Sequence, residues 1–476
     1  MTGRRSPIQV LHLFGRLTAG GPAYSLLTLI RASAASGDVS HTVATLTPPE
    51  ASTAAQLEEC GAGVRHAATP AALAELVRAA DIVHVHFWNN PWLYRALGSG
   101  LPAARLLVWS HVSGERAPQV LPAQLLEYAD VTVASSAQTQ ALPGLSHLEY
   151  IPDVAGWERL QAGPRNADRS FTVGFVGKLD FSKLHPDFVR LCAGVEVPGV
   201  RFIVCGSGSA EATLRRQAVE AGISDRFELR GFVDNVGGAL GEMDVFGYPL
   251  ASDTYAASEL SLQEAMYAGV PPVVLGPASL RHVVSHERTG LVAASEREYV
   301  EALMHLHERP DTRDRLGAAA RADAIARWSP EAVAARWTTV YERLMELPKR
   351  ARPSYRLPET GAGRFVESLG DAGQDFRAGL APDDEAAARA DERIAESADV
   401  MVTADGGILD YRDRYPGDPH LRLWSGLVLH RQGRAAVAAG EFAAAIRLGL
   451  DTGRVRSYLA RAIETIGEPA LSTPPR

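Results

Sequence analysis

Lysine is rare in this chain: three of its 48 basic residues are lysine, and two of them, Lys178 and Lys183, stand five positions apart. A lysine ammonium is a compact charge on a flexible stem and suits a point contact with phosphate, whereas arginine brings a planar fork. Both follow the apolar run Phe171–Val176 and Gly177. A strand there delivers them at its carboxyl end, where open α/β sheets bind ligands. Two solvated surface lysines are the competing reading, and their place after a strand favours the functional one. A second block, Ser258-Glu-Leu-Ser-Leu-Gln-Glu-Ala-Met-Tyr-Ala-Gly269, reads as a helix with Ser258 as N-cap, Glu259 in the first turn and Gly269 just past the end. Its amino end offers free N–H groups to a diphosphate. Glu264 lies among apolar neighbours, where a carboxylate is costly unless hydrogen-bonded. A vicinal diol such as a ribose edge would satisfy it, and so would a local salt bridge.

Other chemistry-bearing residues are weaker. His84 and His86 share one strand face and could ligate a metal. No nearby cysteine or carboxylate completes a site with them, so they read as core or cleft-edge histidines. Phe87-Trp88-Asn-Asn-Pro-Trp92 follows the same strand, where its rings would stack on an acceptor sugar or pack the loop. Gly206-Ser-Gly208 reads as a tight strand-to-helix turn, and His282 and His286 as solvated.

The elements that position these residues repeat a pattern. Over residues 1–165 the apolar runs Gln9–Phe14, His41–Leu46, Asp81–His86, Leu106–Trp109 and Val131–Ala134 alternate with helical stretches, which implies a parallel, doubly wound sheet. The pattern restarts over 166–347 with Phe171–Val176, Arg201–Val204, Phe227–Leu229, Val245–Tyr248 and Pro272–Leu275, and a long helix over Trp328–Leu347 closes this second unit. Residues 348–362, rich in proline and charge, read as a linker. Residues 363–476 are Ala-, Arg- and Glu-rich and read as all-helical. The spacing Gly426…Gln432-Gly-Arg…Ala438…Phe442…Ala445 there resembles a tetratricopeptide repeat.

Composition excludes several classes. A net charge of −8 with no basic stripe argues against nucleic-acid binding. Three scattered cysteines give neither a disulfide framework nor a zinc site. No run reaches the ~20 apolar residues of a membrane span, so a cytoplasmic location is expected.

The motifs Gly177-Lys-Leu…Lys183, Cys205-Gly-Ser-Gly208, Arg230-Gly-Phe232, Asp244–Pro249, Glu264–Pro271 and Thr289-Gly-Leu291 occur in one order, together with Gly20-Gly21, Asp81–His86 and Ser110-His111 upstream. In this the chain resembles family-4 retaining glycosyltransferases over about residues 8–347. The resemblance implies a GT-B fold, two Rossmann-like domains facing a cleft: an acceptor domain (1–165) and a nucleotide-sugar donor domain (166–347), here followed by the helical module. It implies transfer of a sugar from a nucleotide-diphosphate donor to an acceptor hydroxyl with retained anomeric configuration, and no metal or cofactor. Lys178 and Lys183 would contact the diphosphate, Glu264 the ribose, Gly20 and Gly21 the phosphates and acceptor, and His111 the donor sugar. The family's first glutamate falls at Ala256, so Glu259, or alternatively Asp253, is expected to replace it. The chain also has Pro152-Asp153-Val154 where the family has asparagine and glycine after the proline. His86 and Trp88 are candidates for the acceptor side. The acceptor is left open among small molecule, glycan and protein, and the helical tail is where a protein partner or a second copy would dock. The alternative in another class is a degenerate GT-B binding protein that recruits a partner through its helical repeats.

Overall fold

The computed structural model describes residues 6–157, 160, 170–255, 257–381, 384–403 and 405–467. The first sheet is built from β1 (Ile8–Phe14), β2 (Val39–Thr45), β3 (Gly63–His66), β4 (Ile82–Phe87) and β5 (Arg105–Ser110). Two-residue strands β6 (Glu115–Arg116) and β7 (Gln119–Val120) lie outside it, and β8 (Val131–Ala134) and β9 (Glu149–Tyr150) complete it. Its order is β3-β2-β1-β4-β5-β8-β9, parallel throughout. The order reverses between β1 and β4, the kind of switch point outside whose carboxyl ends open α/β sheets bind ligands in a crevice. β4 is buried along its whole length, as a central strand covered on both faces must be. Sequence reading missed β3 and β9, whose four and two residues carry no periodic signal.

The second sheet contains β10 (Thr172–Val176), β11 (Arg201–Cys205), β12 (Phe227–Gly231), β13 (Val245–Pro249), β14 (Pro272–Leu275) and β15 (Leu291–Val292), in the order β12-β11-β10-β13-β14-β15. Its reversal lies between β10 and β13. The lysine loop follows β10 and the Glu259 loop follows β13, so the two loops flank the switch point.

The helix expected over Trp328–Leu347 is present as Pro330–Met345, directly after a separate helix, Pro310–Trp328. Pro310–Trp328 ends at Ser329, whose hydroxyl accepts from the Ala332 N–H, and Pro330 opens the next helix, Pro330–Met345. Proline fits that first position because it lacks only an N–H that would go unpaired there. The second helix packs on the first sheet rather than on the second, which it was expected to close. Tyr341 Oη lies 2.9 Å from His84 Nδ1, and Arg343 pairs with Glu149 at 2.7 Å.

Contacts divide the chain into two compact units. The larger holds both sheets: Met1–Phe87, Pro102–Glu115 and Ala129–Ala351. The smaller joins Arg352–Arg476 to two segments of the N-terminal half, Trp88–Leu101 and Arg116–Tyr128. The tail is helical, with helices at Gly361–Ser368, Asp384–Ala395, Ile408–Arg414, Pro419–Arg431, Ala435–Arg447 and Gly453–Gly467 among its elements. It is not self-contained. Asn89 accepts from Tyr411 Oη at 3.0 Å and donates to Ser368 Oγ at 3.3 Å, and the Arg352 guanidinium bonds the Tyr128 carbonyl at 2.7 Å. Gly426 packs so tightly on Phe442 that a Cβ would lie 2.5 Å from the ring, which brings Pro419–Arg431 and Ala435–Arg447 into close register.

Candidate active site

The loop after β10 is shaped by close backbone approach. Gly206 sits at φ +138, and a Cβ there would fall 1.8 Å from the Gly177 carbonyl oxygen; a Cβ on Gly208 would fall 2.2 Å from that of Leu179. These glycines let the turn after β11 interlock with the loop carrying the lysines. Gly177 and Leu179 N–H groups bond the carbonyls of Cys205 and Ser207, both at 3.0 Å. Asp180 pins the next turn, accepting from Ser182 N at 2.9 Å and Ser209 Oγ at 2.8 Å. Burial works against its charge, but these bonds and nearby Lys178 hold its carboxyl below the usual range. Lys183 is then fixed against the other loop, its carbonyl accepting from Ala251 N at 2.8 Å.

Lys183 Nζ meets Glu259 Oε2 at 2.9 Å, with side-chain exposures of 20% and 4%. Tyr248 Oη donates to the same carboxylate oxygen, and Ala257 N reaches the other at 3.2 Å. Burial opposes charge on both partners. The neighbouring opposite charge more than offsets it, raising the Lys183 pKa and lowering that of Glu259. Burial and the adjacent carboxylate push the Tyr248 phenol up. Glu259 also has a left-handed backbone, φ 48. For a residue with a Cβ this costs about 1–3 kcal/mol and persists only where surroundings enforce it, most often at functional sites. It is the N-cap of the helix Leu260–Tyr267, not a first-turn residue, and Ser258 is not the cap. The Ser258 hydroxyl instead reaches across to the first sheet's loops, to the Ser135 carbonyl at 2.8 Å and Asp153 Oδ2 at 3.0 Å. Gly269 follows the helix in the left-handed form expected of it. Glu264 is buried at 3% exposure.

Across the crevice, Gly20 caps the helix Gly21–Ser33, and a Cβ on Gly21 would lie 3.7 Å from Leu260 Cδ1. Gly21 therefore lies beside the start of the helix that Glu259 caps. Gly20 has nothing within 4 Å of a Cβ position. His111 is 4% exposed and has both ring nitrogens engaged: Nδ1 with Asp153 Oδ1 at 2.7 Å and Nε2 with His86 Nδ1 at 2.8 Å. Its imidazole as found has no nitrogen left for a donor sugar. His86 is likewise buried, at 2%, with Nε2 2.9 Å from His12 Nδ1. It offers no free nitrogen to an acceptor, and Trp88 belongs to the smaller unit.

The structure thus brings Lys183 and Glu259 together and sets Gly21 near them. Lys178 is exposed on the same loop. Asp253 is half-buried, and Glu259 rather than Asp253 meets Lys183. Ala256 lies outside the described residues. Sequence reasoning missed Tyr248 and Asp153. Tyr248 was legible as the inward polar residue at the end of β13; Asp153 stands at the position noted as departing from the family's asparagine. His12, His84 and His86 place ring nitrogens within 4.8 Å of one another, a spacing metals use. Both nitrogens of His12 and of His86 are already bonded to other histidines, so the arrangement is a hydrogen-bonded array.

Residues 158–323 match the family Glycosyl transferases group 1. The chain is similar to 2-deoxystreptamine glucosyltransferase of Streptomyces kanamyceticus, 26% identical over 277 residues, covering 49% of this chain and 70% of that one. It is also similar to 2-deoxystreptamine N-acetyl-D-glucosaminyltransferase of Streptomyces fradiae, 29% identical over 241 residues, covering 43% of this chain and 56% of that one. Among solved structures, Anabaena HepE in complex with UDP and glucose superposes with a TM-score of 0.58 at 15% identity, over 71% of this chain and all of HepE. That likeness shows the fold.

Proposed function

The protein is a glycosyltransferase of the GT-B fold, and we propose that it moves a hexose from a nucleotide-diphosphate donor to an acceptor hydroxyl with retained anomeric configuration and without a metal. The observation that carries this reading is the Lys183–Glu259–Tyr248 cluster at the β10/β13 switch point. In the transfer the bond from the anomeric carbon to the diphosphate breaks and that to the acceptor oxygen forms on the same face, with the acceptor proton leaving toward the departing phosphate. Negative charge grows on the diphosphate, and a fixed ammonium stabilises it without reorganisation. Lys183 supplies that charge, and exposed Lys178 adds a second cation on the same loop. Glu259 orients Lys183 and presents its remaining acceptor capacity to sugar hydroxyls, the task of the carboxylate missing at Ala256. Glu264 serves the ribose, and Gly20 and Gly21 let backbone approach phosphate and acceptor.

The similar Streptomyces enzymes are named for glucosyl and N-acetylglucosaminyl transfer to 2-deoxystreptamine. They support a hexose or N-acetylhexosamine donor and an acceptor that is itself a polyhydroxylated ring. Thermal unfolding against UDP-, GDP- and dTDP-linked hexoses tests the site. One donor raises the melting temperature by mass action, Glu264→Gln abolishes that shift, and the stabilising donor supports turnover. A panel with no shift and no turnover overturns the reading.

A further inference from the structure

Four histidines and one aspartate form an unbroken chain through the first sheet. Asp153 Oδ1 lies 2.7 Å from His111 Nδ1; His111 Nε2 lies 2.8 Å from His86 Nδ1; His86 Nε2 lies 2.9 Å from His12 Nδ1; His12 Nε2 lies 3.0 Å from His41 Nδ1; and His41 Nε2 lies 3.1 Å from Ser33 Oγ. Each of the three ring-to-ring links joins the Nε2 of one imidazole to the Nδ1 of the next, in one direction. A neutral imidazole donates from one nitrogen and accepts at the other. The carboxylate end can only accept while ionised, so it makes His111 the Nδ1–H tautomer, and that choice propagates to His86, His12 and His41 in turn. Strand pairing places the rings: His12 is the register partner of His84 and Val10 that of His41, while His86 pairs with Trp109, two residues before His111. Residues at even spacing on parallel strands share a face. His12, His86 and His111 are buried, and His41 and Ser33 are half-buried at the outer end.

We propose that Asp153 is a positioning residue for the transfer site and that His111, His86, His12 and His41 are the proton relay that sets its charge from the outer side of the sheet. A proton accepted at His41 Nε2 releases the Nδ1 proton of His41 to His12 Nε2, that of His12 to His86, that of His86 to His111, and that of His111 to Asp153 Oδ1. Five transfers leave four neutral Nε2–H imidazoles and one neutral carboxyl, with no charge stranded on a buried ring. Burial disfavours the charged forms of His12, His41 and His86, in keeping with a path through neutral states. The consequence falls on Ser258, whose hydroxyl contacts Asp153 Oδ2 and whose neighbour is Glu259. Gln263 fastens the same junction through the carbonyls of Asp153 and Ser258, at 3.0 and 2.9 Å. A neutral Asp153 holds Ser258 less firmly and relaxes the strained Glu259 that fixes Lys183. The other titratable groups facing the array are His84, Tyr341, bonded to His84, and Tyr150, which senses Asp153 together with Arg327 and Arg336. The role assigned to Asp153 rests on the Lys183–Glu259 cluster being the transfer site; the relay itself does not.

Ring 15N spectra of the histidine-labelled full chain test the relay directly. At neutral pH, His12, His41, His86 and His111 all show the Nδ1–H pattern, against the Nε2–H form that free imidazole prefers. On acidification the four switch together with the Asp153 carboxyl 13C shift. In His12→Phe the switch of His86 and His111 is lost at the pH where wild type shows it. Mixed tautomers at neutral pH, separate titrations, or spectra showing zinc bound by the rings after zinc addition overturn the relay. The second arm reads transfer with the stabilising donor: Asp153→Asn changes the pH profile of kcat with little change in KM. An unshifted profile with an intact relay overturns the positioning role alone.

Discussion

The two halves of the GT-B body bury titratable groups at facing loops and solve the cost in opposite ways. The half built on the second sheet keeps its groups charged and pairs them, Lys183 against Glu259 with Tyr248 as a third partner. The half built on the first sheet buries His12, His41 and His86 where burial disfavours their charged forms, and links them ring to ring in a chain from Asp153 to Ser33. Pairing fixes a charge in place, which suits a leaving phosphate. A neutral chain stores no charge but can pass a proton along. The same sheet architecture therefore provides an electrostatic clamp on one side of the crevice and a protonic connection on the other. The two respond oppositely to mutation: removing one member of a charge pair strands its partner, whereas removing one neutral ring costs packing and a hydrogen bond.

The largest effect follows from that asymmetry. Lys183→Ala leaves the Glu259 carboxylate, 4% exposed, without its counter-charge. Breaking a buried pair from one side costs about 3–5 kcal/mol, a figure that Tyr248 and the Ala257 N–H reduce. The expected outcome in urea unfolding is a loss toward the lower end of that range. Glu259→Gln costs less, because Lys183 at 20% exposure reaches solvent. Turnover falls about 100- to 1,000-fold in Lys183→Ala, the loss typical of one preorganised donor to a developing anion. Equal stability losses in the two variants would show that the pair is solvated, not clamped.

Glycine separates the halves next. Gly206 combines φ +138 with a Cβ position 1.8 Å from the Gly177 carbonyl, so Gly206→Ala requires the lysine loop to move and destabilises by about 1–3 kcal/mol. Gly20 has extended backbone, φ 169, and open space around its Cβ position. Gly20→Ala stays within about 0.5 kcal/mol of wild type while lowering donor or acceptor binding, measured by the thermal shift. A destabilised Gly20→Ala would make that glycine structural, like its counterpart across the crevice.

Much of this was legible in the sequence. Ten apolar runs fell on ten parallel strands, because strands buried on both faces must be continuously apolar. The lysine loop was found through residue type and position after β10. Local signals misled at three places. The block Ser258–Gly269 looks capped by Ser258, yet tertiary bonds to Ser135 and Asp153 claim that hydroxyl and shift the cap to Glu259. The helix expected over Trp328–Leu347 forms as Pro330–Met345, yet it packs on the first sheet, through Tyr341 and His84, and not on the second sheet it was expected to close. The helical tail reads as separate, although Asn89 Oδ1 accepts from Tyr411 and the Tyr128 carbonyl from Arg352, both of the tail segment. His84 and His86 were seen as a pair. His86 finds its partners on β1 and in the loop after β5, His12 and His111, 74 and 25 positions away, and His84 finds Tyr341, so only the tertiary fold could bring them together.

The effect spread most thinly, over pH units instead of a single substitution at one pH, is the one that isolates the histidine side. His41 is buried enough that its pKa is lowered from 6.5 to about 4. Between those values the unfolded chain binds a proton at this position and the folded one does not, so stability falls as pH falls. The slope is about 1.4 kcal/mol per pH unit for one such group. His12, His84 and His86, also shifted well down by burial, add slopes of the same sign. The charged pair contributes little over this window: Glu259 is held below its ordinary carboxylate range and Lys183 above its ordinary range. Urea unfolding of His41→Gln and wild type from pH 7 to pH 4 therefore gives two lines whose slopes differ by up to about 1.4 kcal/mol per unit below pH 6.5. They run parallel above it. A difference that instead stays constant across the whole range would mean that His41 is charged or solvated in the folded state, and the contrast between a charged and a neutral wall of the crevice would fail at its outer end.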